Sequence, residues 1–138
     1  LFGEPDGFAP DDDIRAVYFD RRGGMIIPAR PGKILYFADG RFESIRPAGL
    51  EKRSWSWHYL DFLSRDGEWW IPGANGLLRY PKVASIADLA RTPPKKIYTT
   101  EDGLPGNEIF NVFEDSRGDV WFTVLGAENP LCRWERRT

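Results

Sequence analysis

Three stretches of the chain repeat one order of apolar and polar positions: Ile14–Pro28, His58–Pro72 and Ile109–Thr123. Each opens on a short, mostly apolar run, passes a polar segment that closes on Gly, and resumes with an aromatic or aliphatic run. Apolar runs this short, bounded by Asp, Arg and Gly, predict β-strands joined by tight turns. The turn segments are Asp20–Gly23, Arg65–Gly67 and Asp115–Gly118. They are read as a side-chain acceptor followed by a residue that tolerates positive φ, which a tight antiparallel hairpin requires. Lys33–Phe37, Leu77–Tyr80 and Leu131–Trp134 predict a third strand in each unit, and Phe42–Arg46 and Lys95–Thr100 a fourth in two of them.

The anchoring glycines Gly23, Gly67 and Gly118 lie 44 and 51 residues apart (67 − 23 and 118 − 67). The longer interval holds Pro81–Pro94. There Ser85–Ala90 predicts one or two helical turns capped by Ser85, with Asp88 near the positive end and Pro93-Pro94 blocking continuation. Periods of roughly 40–50 residues with several strands each are the signature of β-propeller blades. The expected fold is therefore all-β: three four-stranded antiparallel blades in one segment, over about 6–46, 56–100 and 109–138, with one short helical insertion. Residues 1–5 are expected to supply the fourth strand of the last blade. Three blades are too few to close a ring, since propellers typically have about four to eight. The chain reads as a slice of a longer propeller or as half of a six-bladed ring built by two copies.

Composition sharpens this picture. The 138 residues include 14 Gly, 11 Pro, 6 Trp, 5 Tyr and 9 Phe, a surplus that suits many turns and aromatic packing between blades. With 19 Lys+Arg against 21 Asp+Glu the net charge is −2, which offers no basic face for nucleic acid. A single cysteine excludes an internal disulfide framework and any multi-cysteine zinc site. No apolar run reaches the roughly 18–20 residues that cross a bilayer, so no membrane contact is expected of this segment. The first residue, Leu1, suggests an excised piece or a processed chain, and nothing there reads as a signal peptide.

The segment Tyr98–Thr123 carries Asp102-Gly-Leu104, Asn107, Asp115, Gly118 and Trp121 in one spaced series. In this it resembles the two-component regulator propeller repeat. The first unit keeps Asp6-Gly7, Asp20 and Gly23 but has Ile26 where that pattern has Trp. The second keeps Asp66-Gly67, Trp70 and Gly76-Leu77 but lacks the Asp-Gly-Leu opening. The resemblance implies a sensor propeller in a periplasmic or extracellular position, ahead of a membrane helix and a kinase or regulator region. No kinase element is present in this sequence.

Candidate chemistry is sparse. His58 is the only histidine and has no nucleophile elbow or second His beside it, so a structural or ligand-contact role is favoured over general-base catalysis. Cys132 is flanked by apolar residues in a predicted strand, where a free thiol usually acts as a small hydrophobe. The aspartates, Asp11-Asp-Asp13 included, read as turn and loop chemistry rather than calcium ligands. Neither a catalytic residue, a metal site nor a cofactor is assigned.

Trp70 and Trp121 occupy equivalent places and are expected to wedge between blades, with Trp69 on the opposite face of its strand. Trp55 and Trp57 fall in the connection that leads toward one mouth of the central channel. Together with Arg15, His58, Tyr59 and Asn111 they form the candidate ligand-binding set, mixed aromatic and polar, and suited to a carbohydrate or a small anionic ligand. The reading is a noncatalytic ligand-sensing propeller segment, with self-association or further blades completing the ring. The alternatives are a protein-interaction scaffold and, behind it, a propeller lyase or hydrolase.

Overall fold

The computed structural model describes residues 3, 5, 8–9, 14, 16–20, 23–29, 32–52 and 61–136. They form three antiparallel sheets in chain order. The first blade is β1 (Tyr18–Phe19), β2 (Met25–Ala29), β3 (Lys33–Ala38) and β4 (Arg41–Ile45). The second is β5 (Phe62–Leu63), β6 (Trp69–Gly73), β7 (Gly76–Tyr80) and β8 (Lys96–Tyr98). The third is β9 (Ile109–Glu114), β10 (Val120–Val124) and β11 (Leu131–Trp134). Each sheet is a simple meander in which sequence neighbours pair. The first and third connections of a blade therefore lie at one end, called here the turn end. The second connection and the link to the next blade lie at the other, the link end.

The three predicted hairpins close by one mechanism. Asp20, Ser64 and Asp115 each donate a backbone N–H to the carbonyl four residues on, at Gly24, Glu68 and Asp119. The side chain of the same residue accepts the returning N–H: Gly24 to Asp20 Oδ1 (2.7 Å), Glu68 to Ser64 Oγ (3.2 Å) and Asp119 to Asp115 Oδ1 (3.0 Å). The glycines between them sit at φ 84°, 88° and 86°. A side chain with a Cβ adopts that region only at a cost, which is why glycine recurs there. In the second blade the acceptor is Ser64, one residue ahead of the expected Arg65–Gly67 segment.

Register carries the packing. Counting from each turn glycine, Ile26, Trp70 and Trp121 are equivalent, and so are Met25, Trp69 and Val120. The cross-strand partners of the first set are Tyr36, Arg79 and Arg133. Strand side chains alternate between faces, so each blade has one face toward the next blade and one toward the previous blade. Ile26 and Ile34 of the first blade pack with Trp69, Ile71, Leu78 and Tyr80 of the second. Trp70 and Leu77, on the other face of the second blade, pack with Val112, Val120 and Phe122 of the third. Trp69 and Trp70 thus point to opposite neighbours, as alternation requires.

The insertion is a 3-10 turn, Ile86–Ala90, with a capping box between Ser85 and Asp88. Its Leu89 is buried in the core shared by the first two blades, and the Leu89 carbonyl accepts the Ala48 N–H at 2.8 Å. The insertion therefore bolts the second blade to the link leaving β4. The third sheet has three strands among the described residues, and β11 pairs with β10 alone. Residues 1, 2 and 4, most of the segment expected to complete it, lie outside the described residues.

Candidate functional site

Of the six expected ligand-binding residues, Arg15, Trp55, Trp57, His58 and Tyr59 lie outside the described residues. Residues 53–60 fall in the link between β4 and β5. Asn111 is described: it sits half-buried on β9, and its N–H donates to Thr123 Oγ1 at 3.2 Å. With Phe113, Trp121, Thr123 and Leu131 it lines an apolar groove of about 480 Å³ on the third blade.

A second recess, of about 460 Å³, opens at the turn end between the first two blades. Asp20, Tyr36, Arg65, Asp66, Trp69 and Lys82 contribute to its wall. Its acidic groups have structural partners: Asp20 Oδ2 accepts the Tyr36 hydroxyl at 2.6 Å, and Asp66 accepts from Ser64 and Arg136. Burial pushes the Asp66 carboxyl up, but the hydrogen bonds from Ser64 and Arg136 and the Arg136 charge outweigh it and hold it at about 2.

Two arginines organise the junction between the second and third blades at this end. Arg65 donates through Nε to Glu114 (2.9 Å) and through its terminal nitrogens to the carbonyls of Ser116 (3.0 Å) and Asp115 (2.7 Å). Arg136 returns across the junction to Asp66, and its Nε donates to the Gly118 carbonyl at 2.9 Å. The hairpin turns of neighbouring blades are thereby cross-clamped. Further in, Glu68 takes ion pairs from Arg79 and Lys95. Burial raises its carboxyl, and those two partners more than reverse the shift, leaving it low. The Arg79 guanidinium lies 4.9 Å from the Trp70 ring centre and 4.5 Å from that of Trp134, a cation within reach of both indoles.

Sequence reading missed this arginine system. Its one visible signal is that Arg79 and Arg133 recur at the same register, each beside a tryptophan: Arg133 lies 5.5 Å over Trp121. Cys132 packs at the edge of the second core, and burial raises its thiol above the ordinary range, so it stays protonated near neutrality. No group of three or more His, Cys, Asp or Glu side chains suited to a metal is found among the described residues.

Radially ordered meander sheets with repeated face-to-face junctions define a β-propeller segment. Residues 103–125 match the family model described as two component regulator propeller. No curated protein matches the sequence. Among solved structures, similarity extends to the extracellular domain of a B. thetaiotaomicron protein described as a one-component system. The TM-score is 0.69 at 20% identity, over 90% of this chain and 17% of that one. The extracellular domain of a second B. thetaiotaomicron protein, described as a hybrid two-component system, gives 0.60 at 16%, over 91% and 17%. Virginiamycin B lyase from Staphylococcus aureus, solved as a catalytically inactive variant with quinupristin, gives 0.58 at 18%, over 93% and 43%. At these identities the likeness is one of fold, and the chain spans 17% of the length of the first two proteins.

The residues of the matched repeat have structural jobs. Asp102 accepts the Thr99 N–H at 2.9 Å, Gly103 takes φ 96°, Leu104 packs on the second core, and Asn107 accepts the Thr100 N–H at 2.9 Å. Asp115 closes its turn and holds the Trp121 indole N–H at 2.9 Å. This is a signature of blade construction.

Proposed function

We propose that the chain is a noncatalytic ligand-sensing segment of an extracellular two-component regulator propeller, with carbohydrate as the ligand class. The observation that supports the regulator role is the match over residues 103–125, set in a chain whose sheets repeat that blade throughout. The extracellular position rests on the similar structures, two of which are extracellular domains. The ligand end is the link end, where the segment holding Trp55, Trp57, His58 and Tyr59 joins the first blade to the second. Indole and phenol rings stack on sugar faces, while Arg15 and Asn111 add polar contacts. Ligand bound across blades would bias the orientation of a rigid ring relative to whatever follows it.

Thermal unfolding with a glycan panel tests this reading, because a ligand that binds only the folded state raises Tm. One sugar class should raise it, and alanine at Arg15, Trp57, Tyr59 and Asn111 should remove the shift. A panel without effect on the wild type, or a shift that survives all four substitutions, overturns it. Similarity to a lyase fold is the one observation favouring an enzyme. Turnover lost on His58→Ala would put that reading first.

A further inference from the structure

The turn-end clamp between the second and third blades is built from four side chains at fixed register. Counting from the turn glycines, Arg65 and Asp66 stand two and one residues ahead of Gly67, and Glu114 stands four ahead of Gly118. Arg136 stands two residues beyond Trp134, the cross-strand partner of Val120. Two cations and two carboxylates meet there: Arg65 pairs with Glu114 and Arg136 with Asp66, and Arg136 Nη2 is also 4.0 Å from Glu114.

Between the first and second blades the same four positions hold Arg21, Arg22, Leu63 and Lys82. Lys82 stands two residues beyond Tyr80, the partner of Trp69, and its stem lies over Gly67 as the Arg136 side chain lies over Gly118. The two cations are thus equivalent in space as well as in sequence. Arg22 stands where Arg136 finds the Asp66 carboxylate, and Leu63 stands where Arg65 finds Glu114. Arg21 and Arg22, placed by register alone, lie outside the described residues. Lys82 has no hydrogen-bond or ion-pair partner among the described residues. At this junction the chain keeps the cations of the clamp and lacks its anions.

In place of a closed clamp there is the recess of about 460 Å³, with Leu63, Trp69, Lys82, Val83 and Ile86 in its wall. That volume falls in the range of small-molecule pockets, about 300–1,000 Å³. Two carboxylates also reach the wall, but both are committed: Asp20 closes its own turn and holds Tyr36, and Asp66 is taken by Ser64 and Arg136. We infer that the recess binds a small organic dicarboxylate, whose carboxylates take the places that Asp66 and Glu114 fill at the next junction. Lys82 meets one of them in a charge-assisted hydrogen bond. At the next junction both carboxylates lie beside one guanidinium, so those of the ligand must be only a few atoms apart, as in succinate or glutarate. Leu63, Val83 and Ile86 suit the methylenes between them. The recess is at the turn end, so this inference stands apart from the carbohydrate reading at the link end.

Isothermal titration at constant ionic strength tests this, with salt screening held fixed. The wild type should bind one glutarate per chain, and the monoamide of glutaric acid at least tenfold more weakly. Lys82→Met keeps the stem over Gly67 and should weaken glutarate binding at least tenfold, with native circular dichroism retained. Arg22→Asp should do the same for another reason: it supplies the missing carboxylate from the chain itself. A wild type that binds neither glutarate nor succinate overturns the inference. Sulfate bound as tightly as glutarate overturns it too, since that is a general attraction for anions. So does equal affinity for the monoamide, or glutarate affinity unchanged in either variant.

Discussion

Two tryptophans at one register position show how much of a residue's role is set by what covers it. Trp70 is buried between the second and third blades, stacked on Tyr98 at 5.9 Å and beside Trp134 at 5.1 Å. Its indole N–H is buried with no hydrogen-bond partner among the described residues. In the third blade the same N–H reaches Asp115. The turn residue opposite Trp70 is Ser64, whose shorter side chain is taken up by Glu68 and Asp66. Trp70→Ala should cost about 3–5 kcal/mol, as truncation of a large buried aromatic does. Trp121→Ala should cost about 1 kcal/mol or less in the monomer, where a surface substitution removes little. Denaturant unfolding of both variants at low protein concentration gives the comparison directly.

At the scale of elements, the turns do two things: they close hairpins, and they tie neighbouring blades. The tie between Asp66 and Arg136 is pH-sensitive. Asp66 is held at about 2, below the about 3.9 of an unfolded aspartate. The folded state therefore binds its proton more weakly, and the stabilisation is complete above about pH 5. It is lost as pH falls through the interval between those two values. Thermal scans from pH 6 to pH 2 should show Tm falling, and Asp66→Asn should make the fall shallower. Glu68, also held low, keeps part of the slope in that variant. Leu89→Ala makes a different kind of cut: it leaves every strand intact and removes the plug of the insertion. It should cost about 2–5 kcal/mol in denaturant unfolding, the range for a buried leucine.

Strands, turns and the capped insertion were legible because each rests on local pattern: short apolar runs, a side-chain acceptor ahead of glycine, serine before an acidic third position. The misplaced acceptor of the second turn has a local cause as well. Arg65-Asp-Gly67 looks like a turn by itself, and only the backbone pairing of Ser64 with Glu68 shows where it starts. The arginine clamps were not legible. Arg65 and Glu114 are 49 residues apart and meet only because two blades do. The candidate site was least legible of all. Repeat register points to Arg15, Tyr59 and Asn111, and the connection into the second inner strand to Trp55, Trp57 and His58; five of the six lie outside the described residues.

At the scale of the molecule, the two core clusters among the described residues are both junctions between blades. Each sheet is stable because of its neighbour, as in other repeat architectures. Stability should then fall off steeply if a unit is removed. A chain truncated after Tyr98 would expose Trp70 and Leu77 to water, and should show a lower unfolding midpoint and stronger binding of an apolar dye than the full chain.

The repeating register has a consequence for how such a chain changes length. The face a blade offers to its successor sits at the same register in each blade, with Ile26 and Tyr36 in the first where Trp and Arg stand in the other two. A duplication or loss of one whole unit in the gene therefore makes or removes a junction that the remaining blades already know how to form. It leaves the terminal faces as they were. An odd number of residues inserted within a strand would break the alternation of its faces and bring Trp69-type positions where Trp70-type positions belong, whereas the insertion Ile86–Ala90, placed in a connection, leaves it intact. Growth by whole blades or within connections is open to this architecture, and an odd shift within a strand is closed to it.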